Sequence, residues 1–174
     1  GIGNLRKEFC HPDSAIVGAF RKICARKKGG PCVGKSRGGK TTKMMALVDA
    51  DGLPTSVIIA PGNRHDVCLV DETLDAAFVK HLSPQLIGYK AFDSTQRQEN
   101  LRKERNVDLI APKRGGQRPS KRKQDGRAMR RYRKRWKVEN LFAWLKQFRR
   151  IAVRWQRRAD HYLGFVHLGC IAVL

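Results

Sequence analysis

Acidic residues are scarce in this chain. Its 174 residues include 15 Asp and Glu against 37 Lys and Arg, which gives a formal net charge of +22 at pH 7. An excess of this size favours polyanionic partners, either nucleic acid or an anionic membrane surface. Hydrophobic residues make up 41% of the chain, which argues against wholesale disorder and suits one domain with a packed core.

Long apolar runs and paired cysteines are also missing. The most apolar stretch, residues 163–174, contains His167 and is shorter than the roughly 20 residues that a membrane-spanning helix needs. The five cysteines form no C-x-x-C pair and are odd in number, which argues against a secreted disulfide scaffold. The N-terminal residues do not have the pattern of a signal peptide. We therefore expect a soluble intracellular protein without a membrane partner.

The positive charge is concentrated in residues 97–160, which contain 23 Lys and Arg against 6 Asp and Glu. Within this segment, residues 113–127 are rich in Gly, Pro, Lys and Arg without periodicity, which predicts a basic flexible loop. Phosphate contacts from such residues give affinity without sequence information. The candidate DNA-binding cations are Lys121, Arg122, Lys123, Arg130 and Arg131. Three tryptophans, which could stack on an unpaired base or pack in the core, are interleaved with these charges: Trp136, Trp144 and Trp155. Core packing is the favoured interpretation for Trp144, and the choice stays open for Trp136 and Trp155.

Apolar patterning predicts an α/β fold with a mixed sheet flanked by helices. Strands are predicted at residues 15–19, 43–48, 56–60, 86–87 and 107–111, with a hairpin turn at Asp51-Gly52-Leu53-Pro54. Helices are predicted at residues 66–82, 95–106, 128–149 and from about residue 162 onward. The polar stretch at 21–42 is predicted to be an extended loop or surface ribbon.

Residues 29–36 fit the pattern G-x-x-x-x-G-K-[ST], and residues 34–41 fit it again. A phosphate-binding loop needs a buried strand before the glycine turn and a helix after it. Here the preceding residues 25–28 are Ala-Arg-Lys-Lys, and the following segment reads as a hairpin strand. We therefore interpret both matches as products of a Gly- and Lys-rich composition, and keep a P-loop nucleotide-binding protein as a remote alternative.

The predicted helix at 128–149 carries the candidate chemistry. At about 100° per residue, Tyr132, Arg135, Glu139 and Lys146 fall within about 60° of one another on one polar face. An adjacent apolar stripe can pack on the sheet and consists of Val138, Leu141, Phe142, Leu145 and Phe148. Glu139 is the one carboxylate between Asp125 and Asp160. On spacing alone, its simplest role is an i,i+4 ion pair with Arg135 that relieves local repulsion.

The spacing Tyr132-x2-Arg135-x3-Glu139-x6-Lys146 resembles the Y-(2)-R-(3)-E-(6)-K signature of DDE-type transposases from bacterial insertion sequences. The similarity extends over nearly the whole chain. Residues 34–43, GKSRGGKTTK, resemble the family's G-x-S-R-G-G-x-T-T-K block, and residues 61–66, PGNRHD, resemble its P-G-x-x-H-D turn. Residues 146–152, KQFRRIA, match the stretch after the family's glutamate. His65 is more simply a turn residue than a metal ligand.

This resemblance implies a single RNase H-like catalytic domain over residues 1–174. It also implies DNA cleavage and strand transfer at element ends by two-metal phosphoryl transfer, with Mg²⁺ or Mn²⁺ as cofactor. Asp13, in Asp13-Ser14-Ala15, takes the place of the family's first aspartate, and Glu139 takes the place of its glutamate. Both are the candidate catalytic metal ligands. By the same analogy, Arg135 and Lys146 contact DNA phosphate and Tyr132 shapes their face; without the family, Asp13 would be interpreted as a helix or turn cap.

The second aspartate of the family is replaced. Its strand reads like L-A-D-K-A-Y-D, whereas residues 87–93 here read IGYKAFD, so that Tyr89 occupies the aspartate position. A neutral phenol is a poor ligand for a hard cation. Asp93 lies four residues on, roughly 13 Å away in an extended strand, too far to substitute. The metal site is therefore expected to be weakened; the origin is left open between a decayed element copy, a variant in the source and retention for DNA binding alone.

Only 12 residues precede Asp13, so we expect the family's N-terminal DNA-binding segment to be missing or supplied by another polypeptide. Two readings remain besides the P-loop. One is an insertion-sequence transposase, impaired at Tyr89, that acts on terminal inverted repeats and target DNA as a homo-oligomer in the bacterial cytoplasm, associated with the nucleoid. The other is a catalytically inactive DNA-binding remnant of the same fold.

Overall fold

One mixed sheet organises the chain. The structure, a computed structural model, describes residues 15–25, 30–37, 39–79, 83–112 and 126–174. In this part of the chain seven strands belong to the sheet. They are β1 (Ala15–Ala25), β2 (Gly34–Ser36), β3 (Gly39–Val48), β4 (Pro54–Pro61), β5 (Gln85–Ile87), β6 (Asp108–Ile110) and β7 (Val153–Arg154).

The strand order combines an antiparallel half with a parallel half. β4, β3 and β1 are antiparallel neighbours, with Met45 beside Ile58 and Ile16 beside Val48. β1, β5 and β6 are parallel, with Ile16 beside Ile87 and Ile87 beside Ile110. β2 pairs with the first residues of β3, and β7 with the last residues of β1. The predicted mixed sheet and RNase H-like fold class are thereby confirmed.

The β3–β4 hairpin forms where its turn residues predict it. Asp49 Oδ1 accepts hydrogen bonds from the backbone N–H groups of Asp51 and Leu53, each at 2.9 Å. Gly52 has φ +93°, a left-handed conformation that favours glycine. An aspartate that bonds the backbone two residues on, followed by glycine, is a standard way to close such a turn.

Helices cover both faces of the sheet. They are α1 (Val70–Asp75), α2 (Thr95–Arg105), α3 (Gly126–Tyr132), α4 (Trp136–Leu145), α5 (Arg149–Ala152) and α6 (Ala159–Val173). Met44, Ala46 and Val48 share one buried cluster with α4 and α6, whereas Met45 and Leu47 belong to a second cluster with α1 and α2. Burial on both faces explains why β3 is an unbroken apolar run from Met44 to Val48. No helix in the described ranges is long and apolar enough to cross a membrane.

Three expectations for local structure need correction. Residues 21–42, expected as an extended loop or surface ribbon, do contain a ribbon in which β2 pairs with the start of β3 and Lys35 lies opposite Lys40, whereas residues 21–25 belong to β1. The glycine-rich stretch therefore leads into a strand and not into a helix, as the rejection of a P-loop requires. The predicted helix at 66–82 is a 3₁₀ turn, Asp66–Leu69, followed by α1, which ends at Asp75.

The third wrong expectation is the continuous helix at 128–149. The 3₁₀ segment Arg133–Arg135 separates α3 from α4, α4 ends at Leu145, and α5 begins at Arg149. The junction residues Tyr132, Arg135 and Trp136 keep right-handed helical φ and ψ, so the chain continues in nearly the same direction. The apolar stripe was predicted correctly for Val138, Leu141, Phe142 and Leu145, all buried, whereas Phe148 is exposed because it lies in the turn before α5.

Two glycines of α6 provide a matched test of helix packing. A Cβ on Gly169 would lie 2.6 Å from Ile151 Cδ1 and 2.9 Å from Leu145 Cδ2, whereas a Cβ on Gly164 would meet nothing within 4 Å. We expect Gly169→Ala to lower the free energy of unfolding by about 1–2 kcal/mol because overpacking outweighs helix propensity. Gly164→Ala should raise it by about 0.5–1 kcal/mol. Urea denaturation measures both; equal effects would contradict the close α6 packing.

Candidate functional site

Tyr89 lies where a central parallel strand ends. It follows β5 by two residues, has an extended backbone with φ −72° and ψ 167°, and immediately precedes the 3₁₀ turn Lys90–Phe92. β5 lies between β1 and β6. The half-buried ring packs against the core clusters on both sides of the sheet. Ligand sites in open α/β sheets collect at this carboxyl edge of the strands.

Three residues from the helical segments meet Tyr89 there. Arg135 Nη1 lies 2.9 Å from Glu139 Oε1, in the i,i+4 ion pair that the sequence spacing predicts. The Arg135 guanidinium carbon lies 5.3 Å from the ring centres of both Tyr89 and Tyr132, within cation–π range. The Tyr89 hydroxyl donates a long hydrogen bond, 3.5 Å, to Glu139 Oε1. We call Tyr89, Tyr132, Arg135 and Glu139 the tyrosine–arginine cluster.

The negative charge of Glu139 is therefore compensated by neighbouring protein groups. Arg135 supplies the compensating cation and Tyr89 supplies a neutral donor. Burial, and then the charge of Glu139, raise the pKa of Tyr89 well above its usual value, although Arg135 acts in the opposite direction. Tyr89 thus remains a protonated phenol at neutral pH. It can donate a hydrogen bond to a carboxylate, but it is a poor ligand for a cation.

A pH titration tests this protonation state. At pH 10, where an ordinary tyrosine is half ionised, we expect Tyr89 to keep its proton because its pKa is raised in the folded chain. Its contribution to stability is present below about pH 10 and is lost as the pH rises toward the folded pKa. Phenolate absorbance between about pH 8 and 10.5 should be the same for the parent and Tyr89→Phe; a missing component in the variant would contradict the raised pKa.

The described residues beside Tyr89 do not by themselves form a site for a divalent metal ion. Among the described residues no group of three or more His, Cys, Asp or Glu side chains could hold one. A hard cation needs several oxygen ligands, preferably carboxylates. At this edge Glu139 is already paired with Arg135, and the neighbouring oxygen is a phenol. The described geometry thus supports an ion pair here and not a metal centre.

Asp93 is closer to Tyr89 along the chain axis than an extended strand predicts. The Phe92 N–H donates to the Tyr89 carbonyl oxygen at 2.8 Å, and the Asp93 N–H donates to the Lys90 carbonyl oxygen at 3.3 Å. A 3₁₀ turn rises about 2 Å per residue, so the four steps span about 8 Å and not 13 Å. The estimate based on an extended strand was wrong because β5 ends before Tyr89.

Comparisons with known proteins identify the family of this chain. A family model described as "Transposase DDE domain" matches residues 11–174. The chain belongs to the DDE transposase family. It is 29% identical over 174 residues to the "Putative transposase for insertion sequence element IS402" of Burkholderia cepacia, covering 93% of this chain and 78% of that protein. It is also 29% identical over 133 residues to the "Putative transposase for insertion sequence element IS6501" of Brucella ovis, covering 76% and 97%.

Some predicted site residues of this transposase domain fall outside the described residues. These are Asp13 and the three cations Lys121, Arg122 and Lys123, so their assignments stay predictions. Most of the predicted basic loop at 113–127 is also outside, and α3 begins at Gly126. β1 itself, Ala15–Ala25, contains no Asp or Glu.

The other predicted cations of the transposase domain lie on its helical segments. Arg130 and Arg131 are exposed in the last turn of α3. Lys146 follows the end of α4, seven residues and about 10 Å of helix axis beyond Glu139. It lines a small crevice with Ile23 and Ile151, beside a different part of the sheet from Tyr89. The tyrosine–arginine cluster therefore contains three of the four signature residues, Tyr132, Arg135 and Glu139. The fourth, Lys146, lies outside the cluster.

Two of the transposase domain's sequence blocks meet in a way that single residues did not predict. Lys43 of the G-x-S-R-G-G block forms an ion pair with Asp66 and donates to the Arg64 carbonyl oxygen in the P-G-x-x-H-D turn. His65 precedes the 3₁₀ turn, and its carbonyl oxygen accepts from the Cys68 N–H, in keeping with its interpretation as a turn residue. An open cavity of about 290 Å³ beside this pair is also lined by Ala91. The sequence signal for this contact is the presence of both family blocks in the same chain.

Proposed function

We propose that this chain is an insertion-sequence transposase domain that binds DNA but does not cleave it. Its membership of the DDE transposase family supports DNA as the partner. The single observation that carries the loss of cleavage is the Tyr89 hydroxyl, which faces Glu139 at the position expected for a carboxylate. A protonated phenol with a raised pKa is a poor partner for Glu139 in binding a metal ion. The negative charge of Glu139 is instead compensated by its ion pair with Arg135.

The DNA-binding part of the proposal rests on charge. Residues 126–158 contain 13 Lys and Arg and one acidic residue, Glu139. Arg130 and Arg131 are exposed there, and Lys121, Arg122 and Lys123 extend the same basic stretch. We assign phosphate contacts to these cations and to Lys146. Arg135 is engaged by Glu139 and two tyrosine rings, so in the present chain its role is to hold the cluster.

The partners proposed by analogy are the terminal inverted repeats of an element and target DNA, bound by a homo-oligomer. Asp13 and Glu139 remain the proposed carboxylates of an intact site, where Mg²⁺ or Mn²⁺ would be the metal. The second candidate, an active transposase that tolerates Tyr89, would need another carboxylate beside Glu139. The part of the chain described around Tyr89 shows no such ligand set.

The test measures binding and cleavage in the same protein. We expect labelled duplex DNA to bind with an affinity that falls about 10³-fold or more between 50 and 200 mM salt, as six or more phosphate contacts require. Supercoiled plasmid with Mg²⁺ or Mn²⁺ should stay intact under conditions where it is bound. Metal-dependent nicking that Glu139→Gln abolishes would show an active transposase, and absence of duplex binding would overturn the proposal.

A further inference from the structure

We propose that the ribbon of β2 and the first residues of β3 binds the phosphate backbone of duplex DNA through Lys35 and Lys40. This inference deepens the proposed DNA-binding function and rests on it. The ribbon lies in the glycine-rich block at residues 34–43, far along the chain from the basic segment at 97–160. We call Lys35, Arg37 and Lys40 the ribbon cations.

The ribbon places two lysines directly opposite each other. Lys35 is the cross-strand partner of Lys40, and the next pair is Ser36 with Gly39. Residues paired in this way have Cβ atoms about 4.5–5.5 Å apart on one face, where two like charges destabilise the pairing. Both lysines are exposed, as is Arg37 after the end of β2. The fold therefore keeps a local repulsion that packing does not require.

No acidic side chain in the described part of the chain compensates this charge. The ion pairs there are made by Lys43 and by arginines elsewhere in the fold, and none of these pairs includes a ribbon cation. The hydroxyl groups of the ribbon bond within it. The Thr41 hydroxyl donates to Ser36 Oγ at 3.1 Å, and the Ser36 hydroxyl donates to the Gly39 carbonyl oxygen at 3.2 Å. An anion from outside the chain would therefore bind here without breaking an internal ion pair.

The base of the ribbon is fixed to the rest of the sheet. The Arg154 guanidinium and the Thr42 hydroxyl both donate to the Cys32 carbonyl oxygen, at 3.4 and 2.8 Å, just before β2 begins. Gly34 packs so closely on the turn after β4 that a Cβ there would overlap the Asn63 side chain. The backbone that carries the ribbon cations is thus ordered before any ligand arrives, which lowers the entropic cost of binding.

The two lysines face the same side of the sheet as the crevice beside Lys146. Side chains alternate along a strand, so Lys40 shares a face of β3 with Met44. Met44 lines that crevice together with Lys146. Four residues of strand separate Lys40 from Met44 by about 13 Å. Each DNA strand carries a phosphate about every 3.4 Å of helix axis, so one duplex lying on this face would span both places.

The experiment measures DNA affinity against salt concentration in the full chain. The probe is a labelled duplex closed by a loop at each end, so that binding to free ends does not contribute. Lys35→Gln combined with Lys40→Gln should lower the slope of log affinity against log salt by about two. At 50 mM salt it should weaken binding by about tenfold for each lysine. Lys35→Arg combined with Lys40→Arg keeps both charges and should bind like the parent.

Lys103→Gln is the matched control for Lys40→Gln alone. Lys103 is an exposed lysine of α2, a helix that packs on the opposite face of the sheet. Its substitution removes the same charge and should leave the salt slope unchanged. Duplex binding that Lys40→Gln weakens no more than Lys103→Gln would overturn this inference while leaving the proposed function intact. Absence of duplex binding by the parent would overturn both proposals.

Lys40→Glu separates phosphate binding from a structural role of the ribbon. It places a carboxylate opposite Lys35, so that repulsion becomes attraction and the Tm should rise by about 1–3 °C. Duplex affinity should nevertheless fall below that of Lys40→Gln, because the new charge repels phosphate. Thermal unfolding and the same salt titration measure the two effects. A fall in both Tm and affinity would overturn the inference in favour of a structural role for the lysines.

Discussion

Tyr89→Asp is expected to convert a chain that leaves plasmid DNA intact into one that nicks it in the presence of Mg²⁺ or Mn²⁺. The substitution removes the protonated phenol that lies 3.5 Å from Glu139 Oε1 and places a carboxylate at the carboxyl end of β5. Two carboxylates there repel each other unless a cation lies between them, which favours metal binding. Charge stabilisation of several kcal/mol corresponds to a gain in nicking rate on the order of 100-fold or more.

Tyr89→Asn is the matched control for this gain. It removes the same ring and fills nearly the same volume as Asp, but it adds no charge, so we expect neither nicking nor metal binding. Tyr89→Asp combined with Glu139→Gln should lose the gain, and Tyr89→Asp combined with Asp13→Asn tests the proposed first carboxylate. Nicking by the Tyr89→Asn variant as fast as by Tyr89→Asp would refute the role of the carboxylate.

Metal binding has a readout that does not depend on cleavage. A cation that binds only the folded chain stabilises it by about 2.7 kcal/mol at a concentration of 100 times its Kd. Mg²⁺ or Mn²⁺ should therefore raise the Tm of Tyr89→Asp by several degrees and that of Tyr89→Asn much less. A Tm shift without nicking would place the defect in DNA presentation, whereas the absence of both would show that the site lies elsewhere.

Arg154→Met is expected to be the most destabilising single change in the described core. Arg154 is 1% exposed, and its five N–H groups all find oxygen acceptors. Its guanidinium carbon also lies 5.5 Å from the Tyr162 ring centre. Burial lowers its pKa from the ordinary value. The acceptors are the backbone oxygens of Pro31, Cys32, Gln156 and Arg157, and Thr42 Oγ1.

These contacts join the loop before β2 to β3, β7 and the start of α6. Methionine keeps most of the side-chain volume but leaves the buried acceptors without donors, at about 1–3 kcal/mol for each one that water cannot reach. We expect the free energy of unfolding to fall by about 3 kcal/mol or more and the Tm by about 10 °C. Chemical denaturation and differential scanning calorimetry measure the two quantities.

Arg158→Met is the control for this prediction. Arg158 is exposed and forms an ion pair with Asp160 at 2.6 Å, which solvent screens. Its substitution should leave the Tm unchanged within error. If Arg154→Met were as stable as Arg158→Met, the loop at residues 30–33 would be held by other contacts and Arg154 would not link these elements.

Local pattern predicted the sheet well and the helical connections poorly. The unbroken apolar run from Met44 to Val48 and the turn at Asp51-Gly52 are local signals, and the structure confirms both. The helix expected at 66–82 ends at Asp75 because the Phe78 N–H donates to the Thr55 carbonyl oxygen at 2.8 Å, which ties the chain to β4. The periodicity of the apolar residues contains no information about that distant acceptor.

The tryptophans show a similar limit. Trp144 was interpreted mainly as core, yet it is 52% exposed because Leu141 and Leu145 already fill the buried side of α4. Trp136 and Trp155, left open between core and surface, are exposed to about the same degree. Composition indicates how many aromatic residues a chain has, whereas only packing decides which of them the core has room for.

The sequence by itself determined the family and the charge, and it predicts the loss of a carboxylate at Tyr89. Each depends on residue identity and spacing, which need no coordinates: the Y-R-E-K spacing, the excess of Lys and Arg, and a tyrosine where the family's aspartate is expected. Only the tertiary structure decided what that tyrosine does. Tyr89 and Glu139 are 50 residues apart, and the arrangement of β5 against α4 brings them together with Arg135 lying against the Tyr89 ring. Long-range contacts of this kind arise from burial of both faces of the sheet, which no local pattern encodes.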